Sequence, residues 1–315
     1  MTIAVVIAAY NAAEWIAEAL ESVAAQSRPA DELIVVDDGS TDDTAAKVEE
    51  WQGTASLPVR LLRQPNAGLS AARNRAVLAA ASEYIALLDA DDLLLPHHLA
   101  TLERAFALRS GLVLSFGNAE RTTIDGCRAD PYLAGKAIER LAFEEVAPGV
   151  RVISESVFPS LIYGSFIPCC GTLFSRAASC AIGLWDEGLR TANDRDFWLR
   201  LSRAGGFAYT PEVVAVVRYH DANLTHARHA VRNARNRLRV VRKMERLAES
   251  LGLTPEERAS TRAALTSHEQ DYLYRASLSG FTSYVRALGE LTTAGSLSGL
   301  RRPRHLVRAL RATLR

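Results

Sequence analysis

The chain has 315 residues, 48% hydrophobic and 23% charged, with a formal net charge of +1. That content excludes a disordered chain and can fill the core of one large domain with an appendage. The total charge singles out no nucleic-acid partner, but its spread is uneven. From Thr225 onward 18 Lys or Arg face 7 Asp or Glu, so the tail is near +11 and the body before it near −10.

The first stretch, IAVVIAA (3–9), is a continuous apolar run that predicts a strand covered on both faces. Ile16, Ala19, Leu20 and Val23 recur at helical spacing, and Ser27-Arg28-Pro29 ends that helix. ELIVVDDGSTDDT predicts a second buried strand and a polar turn, with Ser40 or Thr41 placed to cap a helix carrying Val48 and Trp51. VRLLRQPNAGLSAARNRAVLAAA repeats the strand, turn and helix, and YIALLDADD is a fourth strand. Strands alternating with helices predict a mostly parallel α/β sheet flanked by helices. Residues 118–166 have weak periodicity and are expected to form variable loops and strands. A helix is predicted over 194–204 and a strand at EVVAVVRYH, and beyond Thr225 the chain reads as helical.

In that last region Arg228, Arg232, Arg235, Arg239, Arg242 and Arg246 share one helical face beside an apolar stripe of Ala227, Val231, Ala234, Leu238 and Val241. Two readings stand. Either the helix packs on the acidic body, or its arginines meet an anionic membrane surface. Nucleic acid is not expected as a partner, since the acidic body opposes it and aromatic residues are sparse.

Cys127, Cys169, Cys170 and Cys180 lack paired spacing and are expected to be reduced, as in a cytosolic protein. The opening MTIAVVIAAYN lacks the basic start of a signal peptide, and no apolar run approaches the roughly 20 residues of a membrane span. The expected location is cytoplasmic, with a peripheral position on the inner face of the cell membrane as an option.

Ligands of open parallel sheets sit beyond the carboxyl ends of the strands. Asp37-Asp38 and Asp89-Ala90-Asp91 both fall at such ends, so two acidic clusters are expected to line one crevice. Asp89 and Asp91 alternate along the chain and can share a side. Carboxylate oxygens there suit Mg²⁺ or Mn²⁺, which keep phosphate and water ligands as well. A solvated turn is the alternative reading of the Asp-x-Asp on its own.

VVIAAYN, IVVDDGSTDDT, NAGLSAARNRAV and YIALLDADD, followed by GTLFSRAASCAIGLWDEGLRTANDRDFWLRL and VVRYHDANLT, resemble the family-2 inverting glycosyltransferases of the GT-A fold over about 3–225. The resemblance implies a GT-A domain over 1–225, with a nucleotide-sugar half at 1–117 and an acceptor half at 118–225, and leaves 226–315 as a basic helical appendage. It implies that Tyr10 packs on the base of the donor nucleotide and that Asp38 accepts a hydrogen bond from that base. Arg73 would help neutralise the diphosphate, with surface solvation as its alternative. Asp89 would contact ribose or reach the metal through water, Asp91 would bind the metal, and His220 matches a position that ligates the metal in some members. Asp92 is expected to cap the following segment. Asp194 matches the catalytic base, while Asn193 stands where the family has Glu; Asp196 could compensate or simply begin a helix. The implied donor is a nucleotide-diphosphate sugar and the implied acceptor a glycan or lipid-linked hydroxyl, in surface polysaccharide or glycolipid assembly. A non-catalytic sugar-nucleotide or glycan-binding module is an alternative. A sugar nucleotidyltransferase is disfavoured, because no glycine lies between Met1 and Gly39 to build a phosphate loop after the first strand.

Overall fold

The computed structural model describes residues 1–123, 128–129, 131–220, 227–296 and 303–313. Met1–His220 and Asp221–Arg315 form separate units. The boundary expected at Thr225 lies outside the described residues, as does Cys127.

The first unit is built on a sheet of β1 (Ile3–Ala9), β2 (Glu32–Asp37), β3 (Val59–Arg63), β4 (Tyr84–Asp89), β5 (Leu93–Leu94), β6 (Leu112–Thr123), β7 (Arg128–Ala129), β8 (Phe143–Ala147), β9 (Val150–Ile153), β10 (Thr172–Ser175) and β11 (Gly206–Tyr219). Its order is β3-β2-β1-β4-β10-β6-β11-β9-β8. The first four strands are all parallel, with Ile7 of β1 opposite Val35 on one side and Leu88 on the other. Beyond β4 the pairing is mixed: β10 runs antiparallel to β4 and β6, whereas β6 and β11 are parallel. The chain leaves β1 towards β2 and β3, then returns to place β4 on the other side of β1. That reversal opens a crevice at the carboxyl ends of β1 and β4.

Helices cover both faces of the parallel half. Ile3, Val5, Ile7 and Ala9 pack with Ile16, Leu20 and Val23 of α1 (Ile16–Ala24), Val48 of α2 (Thr44–Gln52), and Leu99 and Leu102 of α4 (His98–Leu108). The alternate β1 residues Ala4 and Val6 are equally buried, and α3 (Leu69–Ala79) packs on β1 and β2. The two-sided cover explains why these strands read as continuous apolar runs. The region 118–166 contains the second half of the long β6, the β8–β9 hairpin and the one-turn α5 (Phe158–Leu161). After it come α6 (Arg176–Ala181) and α7 (Asn193–Leu201), which begins one residue earlier and ends three earlier than its pattern predicts. An aromatic cluster seats α7: Trp185 stacks on Phe197 with centroids 3.9 Å apart, and Phe174 meets Trp185, Phe197 and Trp198 edge-on.

The predicted cap of α2 is corrected. Asp43 occupies the N-cap position without a side-chain capping bond, and Ser40 and Thr41 serve another purpose. The Asn11 N–H donates to Ser40 Oγ at 3.0 Å and Thr41 N–H donates to Asn11 Oδ1 at 2.8 Å, while Ala12 N–H donates to Thr44 Oγ1 at 2.8 Å. The turns after β1 and β2 are thereby stapled together. Asn11 adopts a left-handed φ of 49°, which asparagine tolerates better than most residues. Gly39, at φ 77°, brings its backbone so close to the turn after β3 that a Cβ would lie 2.7 Å from Asn66 N.

The second unit is helical: α8 (Ala230–Arg246), α9 (Pro255–Leu278), α10 (Phe281–Thr293) and α11 (Pro303–Thr313). Thr254 and Glu257 form a reciprocal capping box at the start of α9. Ala234, Leu238, Tyr272, Leu273, Ala276, Tyr284, Ala287, Leu291 and Ala309 make its core. Ala234, Leu238 and Val241 of the predicted α8 stripe are buried, joined by Val240 and Met244. The predicted arginine face is partly committed within this unit: Arg235 pairs with Glu290 at 2.9 Å and Arg242 with Glu269 at 3.2 Å, while Arg237, outside that face, pairs with Asp271 at 2.8 Å.

Candidate active site

The carboxyl ends of β1, β2 and β4 gather most of the expected residues. Tyr10 follows β1 and is half exposed, so a face of its ring is open to solvent. Asp38, just past β2, is buried. Its Oδ1 accepts from Gln64 Nε2 at 2.7 Å and Ala67 N–H at 2.8 Å, and its Oδ2 accepts from Gly68 N–H at 2.8 Å. Asp38 therefore holds the loop that launches α3. Capping of the DGST turn falls to Asp37, whose Oδ1 accepts the Ser40 N–H at 3.1 Å.

Arg73 is not a solvated surface residue. It is buried in the middle of α3, donates to Asp89 Oδ1 at 2.5 Å, and lies 5.8 Å from the centroid of the Trp185 ring. Burial disfavours its charge, but Asp89, Cys169 and Asp194 together outweigh that cost and hold the guanidinium more firmly protonated than usual.

Asp89, Asp91 and Asp92 divide three roles. Asp89 is tethered to Arg73. Asp91 Oδ2 lies 2.9 Å from His220 Nε2. Burial and the neighbouring Asp89 push the Asp91 carboxyl above its ordinary range, with His220 opposing the shift. Asp92 does not cap the next helix: it is buried, and its Oδ1 accepts the Arg218 N–H at 3.0 Å, tying the β4 turn to β11. Burial and then Asp91 drive its carboxyl well above the usual range. His220 is not a solvated residue either. Its ring stacks on Trp15 with centroids 5.5 Å apart at 11°, and Arg218 covers Trp15 at 4.9 Å while pairing with Glu18 at 2.5 Å. Trp15 thus fixes the plane of the imidazole that faces Asp91.

One carboxylate and one imidazole converging at hydrogen-bond distance suit a divalent cation that takes its remaining ligands from phosphate and water. Among the described residues no group of three His, Cys, Asp or Glu side chains forms a closed metal cage.

The residues expected on the acceptor side come from the start of α7. Asp194 is half-buried in its first turn, and its charge reaches Arg73, Cys169, Tyr132 and Lys136. Asn193 is built into the frame: its Oδ1 accepts the Asp194 N–H at 3.0 Å and its Nδ2 donates to Ser70 Oγ at 3.0 Å. Asp196 does not compensate for the missing Glu, because it is fully buried and accepts two hydrogen bonds from Arg200, at 2.9 and 2.7 Å.

Sequence reasoning missed three contributors. Ser70 and Asn74 lie on the buried face of α3 with Arg73; Asn74 donates to the Trp185 carbonyl at 3.0 Å and accepts the Trp185 N–H at 2.9 Å. Polar residues at steps of three and four on a helix that must face a sheet were the available signal. Lys136, in the weakly periodic region, places its Nζ 3.1 Å from the Tyr132 ring centroid. Burial, with Arg121, lowers its pKa to about 7, and Asp194 pulls the other way. No sequence signal marked it. Cys169 and Cys170 are free thiols, and burial pushes both well above the usual thiol range.

Residues 4–116 match the family model described as glycosyl transferase family 2. The succinoglycan biosynthesis protein ExoO of Rhizobium meliloti is 40% identical over 126 residues, covering 38% of this chain and 34% of that protein. The chain spans about a third of the length of the curated relatives it matches at 37–40% identity. Among solved structures, Staphylococcus aureus TarS 1-349 in complex with UDP-GlcNAc superposes with a TM-score of 0.64 at 19% identity, over 93% of this chain and 81% of that one. The mannosyltransferase PcManGT of Pyrobaculum calidifontis, in complex with GDP-Man and Mn²⁺, gives 0.57 at 18% identity, over 98% and 85%. The chain is thus an α/β protein of the GT-A type with a helical C-terminal region, and it resembles the family-2 glycosyltransferases.

Proposed function

We propose that the chain is an inverting glycosyltransferase that moves a sugar from a nucleotide-diphosphate sugar to an acceptor hydroxyl during surface polysaccharide or glycolipid assembly. The observation that carries this reading is the pairing of Asp91 with His220 at 2.9 Å, beside the Arg73–Asp89 pair, where β4 returns alongside β1. Tyr10 stacks on the base, and the lone pair of Asp38 left over from the loop accepts a hydrogen bond from it. Asp89, oriented by Arg73, meets the ribose, and the buried guanidinium offsets part of the diphosphate charge. Asp91 and His220 would hold Mn²⁺ or Mg²⁺, which would stabilise charge developing on the departing diphosphate.

Asp194 removes the acceptor proton as the hydroxyl oxygen bonds to the anomeric carbon. The bond from that carbon to the diphosphate oxygen breaks on the opposite face, the diphosphate leaves with the electron pair, and the configuration inverts. No covalent enzyme intermediate is required. The acceptor is a glycan or lipid-linked hydroxyl, and an anionic membrane surface is a partner of the C-terminal helices. No described helix is long and apolar enough to cross a membrane.

Thermal stabilisation by UDP-, GDP- and dTDP-sugars, with and without Mn²⁺, tests donor binding; a ligand at 100 times its Kd adds about 2.7 kcal/mol. Metal-dependent stabilisation by one base class, abolished in Asp91→Asn, is expected. Equal donor affinity in wild type and Asp91→Asn refutes the metal assignment, and donor binding without transfer or hydrolysis favours a binding module.

A further inference from the structure

The second unit turns apolar side chains outward where a folded bundle would hide them. In α11, His305 and Ala309 are the buried positions, whereas Leu306, Val307 and Leu310 are 40%, 50% and 47% exposed. At 100° per residue these three lie on a face turned well away from the packed one. Arg304, Arg308 and Arg311, at steps of four and three, run along its border. The C-terminal end of α11 meets the turn between α9 and α10, where the Phe281 N–H donates to Thr313 Oγ1 at 2.8 Å, and that turn exposes Leu278 and Phe281. Arg308 stacks at 4.7 Å on the exposed ring of Tyr274.

We propose that this apolar, arginine-bordered face of α11, with the α9–α10 turn, is the surface by which the protein lies on an anionic lipid bilayer. It rests on the membrane part of the reading above and replaces α8 as the contacting helix. A helix with an apolar face and a cationic border lies in the plane of the membrane interface, with its apolar residues among the acyl chains and its arginines at the headgroups. The charge selects the partner. Residues 291–315 contain six arginines and no Asp or Glu, so a second copy of the same face would meet like charge, whereas anionic headgroups complement it. On α8, by contrast, Arg235, Arg237 and Arg242 already pair with Glu290, Asp271 and Glu269.

Cosedimentation of the full chain with vesicles of phosphatidylcholine alone, or mixed with phosphatidylserine, tests the assignment. Wild type should bind the mixed vesicles and release in high salt. The pair Leu306→Ser with Leu310→Ser, and separately Arg304→Gln with Arg311→Gln, should each weaken binding about tenfold or more, with circular dichroism unchanged because all four positions are exposed. Arg239→Gln with Arg246→Gln on α8 should weaken it far less. In a Val307→Trp variant, the added fluorescence should shift to shorter wavelength on the mixed vesicles. Wild type that ignores phosphatidylserine at low salt overturns the membrane reading as a whole, as does a concentration-dependent dimer lost in the Leu variant without vesicle binding. Binding that survives both α11 variants but is lost in the α8 variant overturns the α11 assignment alone. Sugar transfer to a soluble acceptor is scored separately, so failure of the catalytic reading is seen independently.

Discussion

Asp194 and Asp196 stand two residues apart in the first turn of α7, and replacing each with asparagine separates the carboxylate proposed to react from a structural one. Asp196 is fully buried against Arg200, which also donates to the carbonyls of Ile182 and Leu184 at 2.6 Å each. Neutralising Asp196 leaves a guanidinium with 8% exposure among carbonyl dipoles and the Phe197 ring. Breaking a buried pair from one side costs about 3–5 kcal/mol. For a unit of this size each kcal/mol lowers Tm by about 2–4 °C, so Asp196→Asn should melt on the order of 10 °C lower. Asp194 is half-buried, and its charge at a helix N-terminus is worth about 0.3–1 kcal/mol, so Asp194→Asn should shift Tm by only about 1–3 °C. Its turnover should fall by about 10² to 10⁴, with donor binding nearly intact. Differential scanning fluorimetry and transfer rates per folded molecule measure both quantities. Asp196→Asn that melts like wild type yet transfers no sugar, or Asp194→Asn with near-normal transfer, refutes the assignment.

Asp38→Ala orphans two backbone donors of the 64–68 loop and should lose about 2–5 kcal/mol in urea unfolding; wild-type stability with weakened donor binding would make Asp38 a base contact alone. Burial lowers the His98 pKa from 6.5 to about 4, so the unfolded chain takes up a proton that the folded chain refuses. Stability from this residue is complete above about pH 6.5 and falls by roughly 3 kcal/mol as pH drops towards 4. His98→Asn should show a correspondingly shallower pH dependence, and parallel curves would contradict the burial argument. Trp15→Ala should weaken Mn²⁺-dependent stabilisation by donor, with Trp15→Phe restoring most of it; equal stabilisation in all three proteins would show that His220 needs no stacking partner.

The sequence by itself determined the parallel half of the fold and the address of the site. Runs such as IAVVIAA and YIALLD must be buried on both faces, and the polar turns after them can only lie at the strand ends. The grouping of Asp38, Asp89 and Asp91 followed from that rule, and the family resemblance added Tyr10. The mixed half was not legible, because β10 and β6 pair antiparallel and parallel strands with partners far away in the chain, and no local period encodes the choice.

What only the tertiary structure decided is which charge meets which. Arg73 reads equally as a diphosphate partner or a solvated surface arginine until α3 is laid on the sheet and Asp89 comes within 2.5 Å. Asp194 and Asp196 are both acidic residues of one helical turn, and only the packing of α7 on its aromatic cluster sends one inward to Arg200 and leaves the other beside the crevice. Asp92 and His220 depend on where β11 passes the β4 turn, 126 and 129 residues away in the chain from their partners. Local sequence specifies a residue's charge and its face on an element. The partner that sets its desolvation, pKa and chemical role arrives from another element, so that role is a property of the assembled fold.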